Sequence, residues 1–242
     1  MTKSAAYDIL AIGAHPDDVE VGCGGVLAKL TSAGRRAAIT YLTQGEMGTG
    51  GTPELRRKEA EAAAKIIGVD LFEPYDWGDT RLEDSHERRL AIAELIHRVR
   101  PRVVLCSYPH VSHGRRQSHP DHVATGLITL GGVTLAALKK LAGPEGPHYV
   151  DRVYYYFLPP GLPPTFVVDI TAHFDTWISA LKAHASQFQN PEKGRDYIFA
   201  LETMARTFGQ QARCKYGQGF YSAEPLLLDD ILDTVKVADV VR

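Results

Sequence analysis

Two short stretches of this 242-residue chain carry the groups that could do chemistry, His15-Pro16-Asp17-Asp18 and Ser118-His119-Pro120-Asp121-His122. Together they offer three imidazoles and three carboxylates. Nitrogen and oxygen donors in that mixture suit a borderline divalent cation. A set of two histidines and one carboxylate leaves positions open for water and substrate, as catalytic sites do, whereas structural zinc sites are usually closed and cysteine-rich. A carboxylate beside the ion but not bound to it can take a proton from an attacking water, so the chemistry to expect is hydrolysis. The plainer reading of Asp17 and Asp18 is helix capping, because negative charge is favoured at a helix N-terminus. Capping needs one carboxylate, and it explains neither His15 nor the second stretch.

Each stretch needs a strand before it and a helix after it. Tyr7 to Ala14 is a short apolar run of the kind that forms a fully buried parallel strand, and a helix should begin at Asp17 or Asp18 and end near Ser32-Ala33-Gly34. A second strand is expected at Ala37 to Leu42, followed by the glycine-rich loop Thr43 to Thr52. Helices are expected at Glu54 to Ile67 and Ser85 to Val99, with strands at Leu71 to Trp77 and Val103 to Ser107. A long helix should start at His119 or Pro120. As a first-turn residue, Pro120 places His119 and His122 three apart on one helical face. Strands at Val153 to Phe157 and Phe166 to Asp169 and a helix at Ala172 to Phe188 complete the pattern. Alternation of this kind predicts a single α/β domain over residues 1–242, Rossmann-like, with a mostly parallel sheet and helices on both faces. In such sheets ligands bind beyond the carboxyl ends of the strands, where both stretches fall.

The remaining composition narrows the function. A net charge of −2 gives no general attraction to nucleic acid or anionic membranes, which leaves a small molecule as the expected partner. Cys23, Cys106 and Cys214 are odd in number and lack Cys-x-x-Cys spacing, against both a disulfide framework and a thiolate metal site. With no signal-like N-terminus and no membrane-length apolar run, a cytoplasmic protein is expected. His86, His97, His148, His173 and His184 have no partner motif and read as surface or hydrogen-bonded histidines, while His110 and His113 lie in the loop before the second stretch as substrate contacts or solvated residues. Cys23, among Gly22, Gly24 and Gly25, reads as helix packing against the sheet. These glycines do not make Gly-x-Gly-x-x-Gly, and carboxylates would stand where a pyrophosphate should sit, which excludes a dinucleotide site there.

Ala14-His15-Pro16-Asp17-Asp18-Val19-Glu20, Gly24-Gly25 and His119-Pro120-Asp121-His122 resemble the signature motifs of the LmbE/PIG-L-type zinc-dependent deacetylases. Thr43-Gln44-Gly45-Glu46, Leu55-Arg56-Arg57-Lys58-Glu59, Ser186-Gln187-Phe188 and Tyr216-Gly217-Gln218-Gly219-Phe220 extend the likeness over most of the chain, toward the short bacterial members of the bacillithiol-pathway type. The resemblance implies one zinc per chain, with Fe(II) or another divalent ion as the alternative, held by His15, Asp18 and His122. It further implies Asp17 as base, His119 as the oxyanion-stabilising group, Asp121 as the residue orienting His119 and favouring its imidazolium form, and Arg56 and Tyr197 as substrate contacts. The implied substrate is N-acetylglucosaminyl malate, with inositol or chito-oligosaccharide conjugates as alternatives, and the implied assembly is a homo-oligomer such as a hexamer. Two features depart from the family pattern: the long loop 109–118, and Gln218 where glutamate is usual. Two rivals share the residues: a non-haem iron oxygenase with the same ligand type, which a free aspartate at the metal disfavours, and a sugar-binding module without activity, which a complete ligand set disfavours.

Overall fold

The computed structural model describes residues 7–110, 119–189 and 196–234, so Ser118, His113 and the 111–118 part of the long loop lie outside the described residues. The strands are β1 Ile9–Gly13, β2 Ala37–Tyr41, β3 Asp70–Leu71, β4 Val103–Ser107, β5 Arg152–Tyr156, β6 Phe166–Asp169 and β7 Gly217–Ser222. The helices are α1 Asp18–Ser32, α2 Pro53–Ile67, α3 His86–Val99, α4 Pro120–Ala136, α5 Phe174–Ala183, α6 Ala185–Phe188 and α7 Tyr197–Gln211. One seven-stranded sheet runs β3-β2-β1-β4-β5-β7-β6, joining both ends of the described chain. Strands β1 to β5 pair in parallel, and β7 runs antiparallel between β5 and β6.

β1 shows why the apolar run folds as it does. Its side chains alternate between two cores: Ile9 and Ala11 pack with α1, α2 and α5, while Leu10 and Ile12 pack with α3 and α4. Leu10, Ala11 and Ile12 are fully buried. Each fully buried Leu or Ile contributes about 1.5–3 kcal/mol, so this strand anchors the sheet to both helix layers. The glycines of α1 serve close packing, because a Cβ on Gly22 would stand 2.3 Å from the Tyr156 ring and one on Gly25 2.7 Å from Ile170. Cys23 is buried and its thiol donates to the Val19 carbonyl, a packing residue as its surroundings predicted.

Elements departed from expectation where tertiary contacts overrode local pattern. The segment expected as a strand from Leu71 to Trp77 pairs formally only at Asp70–Leu71. It still follows β2, with the amides of Phe72, Tyr75 and Trp77 donating to Ile39, Tyr41 and Leu42 carbonyls. Pro74 has no N–H to continue a regular ladder. The expected helix from Ala172 to Phe188 is divided at His184, whose backbone leaves the helical region (φ −81°, ψ 59°). There its ring enters the core, 3.3 Å from the buried Glu20 carboxylate. β5 ends one residue early because Phe157 turns to φ 56°. The sequence pattern did not yield α7 or β7. Two glycines in Gly217–Ser222 hide the strand, and α7 is recognisable only by its Asp196 cap, which accepts from the Phe199 amide.

Candidate active site

The strand order reverses between β1, which continues to β2 on one side, and β4, which continues to β5 on the other. A crevice opens beyond the carboxyl ends of strands at such a point. His15 to Asp18 leave β1 there, and His119 to His122 open the helix that follows β4. A chamber of about 570 Å³ occupies it, lined among others by His15, Asp17, Asp18, Arg56, Asp79, His119, His122 and Tyr197.

Ring nitrogens of His15, His119 and His122 lie within 4.8 Å of one another. The Asp18 carboxylate sits between two of these rings, with Oδ2 3.3 Å from His15 Nδ1 and Oδ1 3.1 Å from His122 Nε2. Amides of Ala14 and His15 donate to Oδ2 at 2.9 and 2.8 Å, which fixes the carboxylate in place. Despite burial, the two imidazoles hold the Asp18 carboxyl well below the usual range. Behind His15, Nε2 lies 3.0 Å from Asp79 Oδ1 and 3.2 Å from Asp121 Oδ2. Burial opposes charge on His15, but the Asp121, Asp18 and Asp79 carboxylates outweigh it and push the imidazole up to about 12. So many carboxylates converging on one ring make a pocket that favours cations. A histidine with one nitrogen toward a ligand set and the other on a carboxylate has the outer-shell support found at metal ligands. The donor set therefore fits a divalent ion with open positions.

Asp17 is not a cap. It occupies the N-cap position with no side-chain cap bond, at φ 126° and ψ −23°, a conformation costly for a residue with a Cβ. Its side chain is 17% exposed, at the chamber wall, and Oδ1 lies 3.4 Å from Arg56 Nη2. Burial pushes its carboxyl up to about 6, with Arg56 opposing and Asp18 adding to the rise. Arg56 is 4% exposed, which excludes a solvated helix face. Its guanidinium donates to the Pro16 carbonyl at 2.6 Å and the Gly45 carbonyl at 2.9 Å, holding the Asp17 turn against the second-strand loop. Gly45 is required there, since a Cβ at its φ of +67° would fall 1.9 Å from Arg56 Nη1.

In the second stretch His119 itself caps α4, its Nδ1 accepting from the Asp121 amide at 3.3 Å. Nε2 is then the nitrogen left to carry a proton toward a ligand. Asp121 does not orient His119 with its carboxylate. That group is fully buried beneath His15, where it also accepts from the Thr80 amide at 2.6 Å and the Leu82 amide at 3.3 Å. Nor does the site favour an imidazolium at His119: burial and the neighbouring His15 and His122 lower its pKa. Phe157 stacks on His122 with ring centroids 4.8 Å apart. Tyr197, 38% exposed, stands at the chamber rim at the start of α7. Gln218 does not reach the donor set; its Oε1 accepts from the Val26 amide.

Sequence reasoning missed Asp79. It sits in a tight turn (Gly78 φ 85°, Thr80 φ 65°), with Oδ2 accepting from Met47 and its own amide donating to Glu46. The findable signal was position, because the turn follows the edge segment along β2 at the same end of the sheet. Beneath Asp17 lies a second missed group: Glu20 accepts from Tyr41 Oη at 2.7 Å and pairs with His184, while Trp177 Nε1 donates to the Glu20 carbonyl.

A mostly parallel sheet with an acidic, imidazole-rich crevice at its switch point, and the Asp17 carboxylate beside the donors, is the arrangement a hydrolase needs. Residues 10–131 match the family described as PIG-L, GlcNAc-PI de-N-acetylase. The chain is 33% identical over 226 residues to the diacetylchitobiose deacetylase of Thermococcus kodakarensis, covering 87% of this chain and 81% of that protein. It is 28% identical to a 1D-myo-inositol 2-acetamido-2-deoxy-alpha-D-glucopyranoside deacetylase of Kineococcus radiotolerans, over 74% of this chain and 68% of that one. The crystal structure of the conserved protein TT1542 from Thermus thermophilus superposes with a TM-score of 0.81 at 37% identity, over 92% of this chain and 97% of that chain. The protein belongs to the PIG-L/LmbE family and is an N-deacetylase. Among the described residues no helix is long and apolar enough to cross a membrane.

Proposed function

We propose that the chain hydrolyses the acetamide of an N-acetylglucosaminyl conjugate, N-acetylglucosaminyl malate foremost, using one zinc per chain held by His15, Asp18 and His122. The observation that carries this reading is Asp17. It is a strained, half-buried carboxylate with a raised pKa at the chamber wall, beside the donors and paired with Arg56. A divalent ion in the cradle supplies Lewis acidity, making water a better nucleophile near neutral pH and polarising the acyl carbonyl. Asp17 takes the water's proton as the new C–O bond forms and returns it to the amine nitrogen as the C–N bond breaks. His119, capped at Nδ1, donates from Nε2 to the oxyanion of the tetrahedral stage. Asp79 and Asp121 hold the His15 ring, and Arg56 holds the Asp17 turn. Tyr197, at the rim, contacts the sugar.

A second reading differs only in the aglycone. The relatives named for diacetylchitobiose and for an inositol conjugate favour a second sugar or an inositol in place of malate. The guanidinium of Arg56, engaged by two carbonyls, has little left for a malate carboxylate. Acetate release from the malate, inositol and chitobiose conjugates, after chelation and zinc restoration, ranks the three. No release from any of them in zinc-replete protein would refute the function. The same resemblance carries a cytoplasmic homo-oligomer, and light scattering from a monomer would remove the oligomer.

A further inference from the structure

A second cavity of about 420 Å³ adjoins the chamber, and the two share Val21, His119, His122 and Phe157 as walls. The contrast between them is chemical. The chamber presents Asp17, Asp18, Arg56 and Asp79, whereas among the described residues no Asp, Glu, Lys or Arg lines the second cavity. Its far wall is Leu158, Trp177, Met204, Ala205 and Phe208. A scissile amide at the donor set has two arms. The sugar arm carries hydroxyls that need partners, which the charged chamber offers in number, whereas the second cavity adds only Tyr108 and Gln218 to the two histidines it shares. The remaining arm is the acyl group, and it leaves the carbonyl beside His119 and His122, the histidines that border the cavity.

We propose that the apolar cavity is an acyl subsite, and that the enzyme removes N-acyl groups longer than acetyl from glucosamine conjugates, a further activity of the same centre. The proposal rests on the N-deacetylase reading of that centre. A methyl group leaves nearly all of a cavity this size unfilled, whereas a medium-length alkyl chain buries its methylenes against Phe157, Met204 and Phe208. The bond balance is that of amide hydrolysis. Water oxygen bonds to the acyl carbon, the C–N bond breaks with one of the water's protons carried to nitrogen, and the products are the free amine and a fatty acid, which gives up the remaining proton to solvent.

The test pairs binding with turnover on the zinc-loaded protein. Calorimetry with acetate, butanoate, hexanoate and octanoate should show affinity rising by about two- to fourfold per methylene until the cavity is full. Amine release from N-acetyl-, N-butanoyl-, N-hexanoyl- and N-octanoylglucosaminides should show kcat/KM rising in the same order. Met204→Trp, at a side chain 41% exposed and so safe for folding, should lower the octanoyl-to-acetyl ratio of kcat/KM by about tenfold or more. Ala205→Phe narrows the same wall from deeper in the core and should lower that ratio too. Acetyl cleaved with carboxylate affinity and kcat/KM flat in chain length would overturn the acyl subsite while leaving the deacetylase reading intact. Gains seen only with alkyl aglycones would overturn it as well, because the cavity would then serve the other arm. Carboxylate affinity that rises with length while no amide of any length is cleaved would instead overturn the deacetylase reading, and the acyl assignment with it.

Discussion

The two loops that build the site share the letters His-Pro-Asp and use them oppositely. After β1 the histidine turns inward among carboxylates and the first aspartate, Asp17, takes a strained backbone at φ 126° with its side chain at the chamber. After β4 the histidine caps its own helix and the aspartate, Asp121, is buried beneath the other loop's histidine. The difference lies in what each aspartate meets. Asp17 meets an arginine from α2, and Asp121 meets an imidazole and two amides of the Thr80–Leu82 turn. On the proposed reading, the first loop's aspartate is the reactive group and the second loop's aspartate is support, a division that composition alone does not show.

That division can be attacked by mutation. The largest effect belongs to His15→Ala, which should abolish metal binding and reduce deacetylation to background, read by metal analysis and acetate release. Next is Asp17→Asn, expected to cost on the order of 10² to 10⁴ in kcat with metal retained. If Asp121 is support, Asp121→Asn should resemble Asp79→Asn. Each should weaken metal affinity by about 10- to 100-fold, with activity largely recovered at saturating zinc. An Asp121→Asn enzyme with full metal affinity and a low kcat would restore the role of orienting His119 that is expected from resemblance. The smallest effect lies beneath the first loop. Burial lowers the His184 pKa, but Glu20, Asp17 and Glu59 outweigh it and raise the value above 6.5. A histidine whose folded pKa is raised contributes stability that is fully present below its unfolded pKa and is lost as pH rises through the folded value. Urea unfolding should therefore show a decline in stability from pH 6.5 upward that His184→Gln lacks, and identical pH slopes for both proteins would remove the ion pair from the account.

The sequence disclosed the parallel half well and the rest poorly, for physical reasons. β1, β2 and β4 are buried on both faces and so read as continuous apolar runs, and Pro53 and Pro120 mark the starts of α2 and α4. The antiparallel β7 is broken by Gly217 and Gly219, the α5–α6 break depends on a buried pair between His184 and Glu20, and Pro74 prevents a ladder along β2. The donors were legible because they cluster in two strand-end motifs. Asp79 was not, since a single aspartate in a turn looks like any other until the fold brings it to His15. Gln218, flagged as a departure from the family pattern, turned out to bond α1 rather than the donor set.

The central claim, that the first loop both holds the ion and carries an unligated base, is tested most directly by one paired measurement. Zinc is titrated by calorimetry into metal-free wild-type and Asp17→Asn protein, and acetate release is followed in the same samples. The account predicts one zinc per chain at matching affinity in both, with release from Asp17→Asn slower by about 100-fold or more. An Asp17→Asn protein that releases acetate near the wild-type rate, or that loses zinc as His15→Ala does, would contradict it.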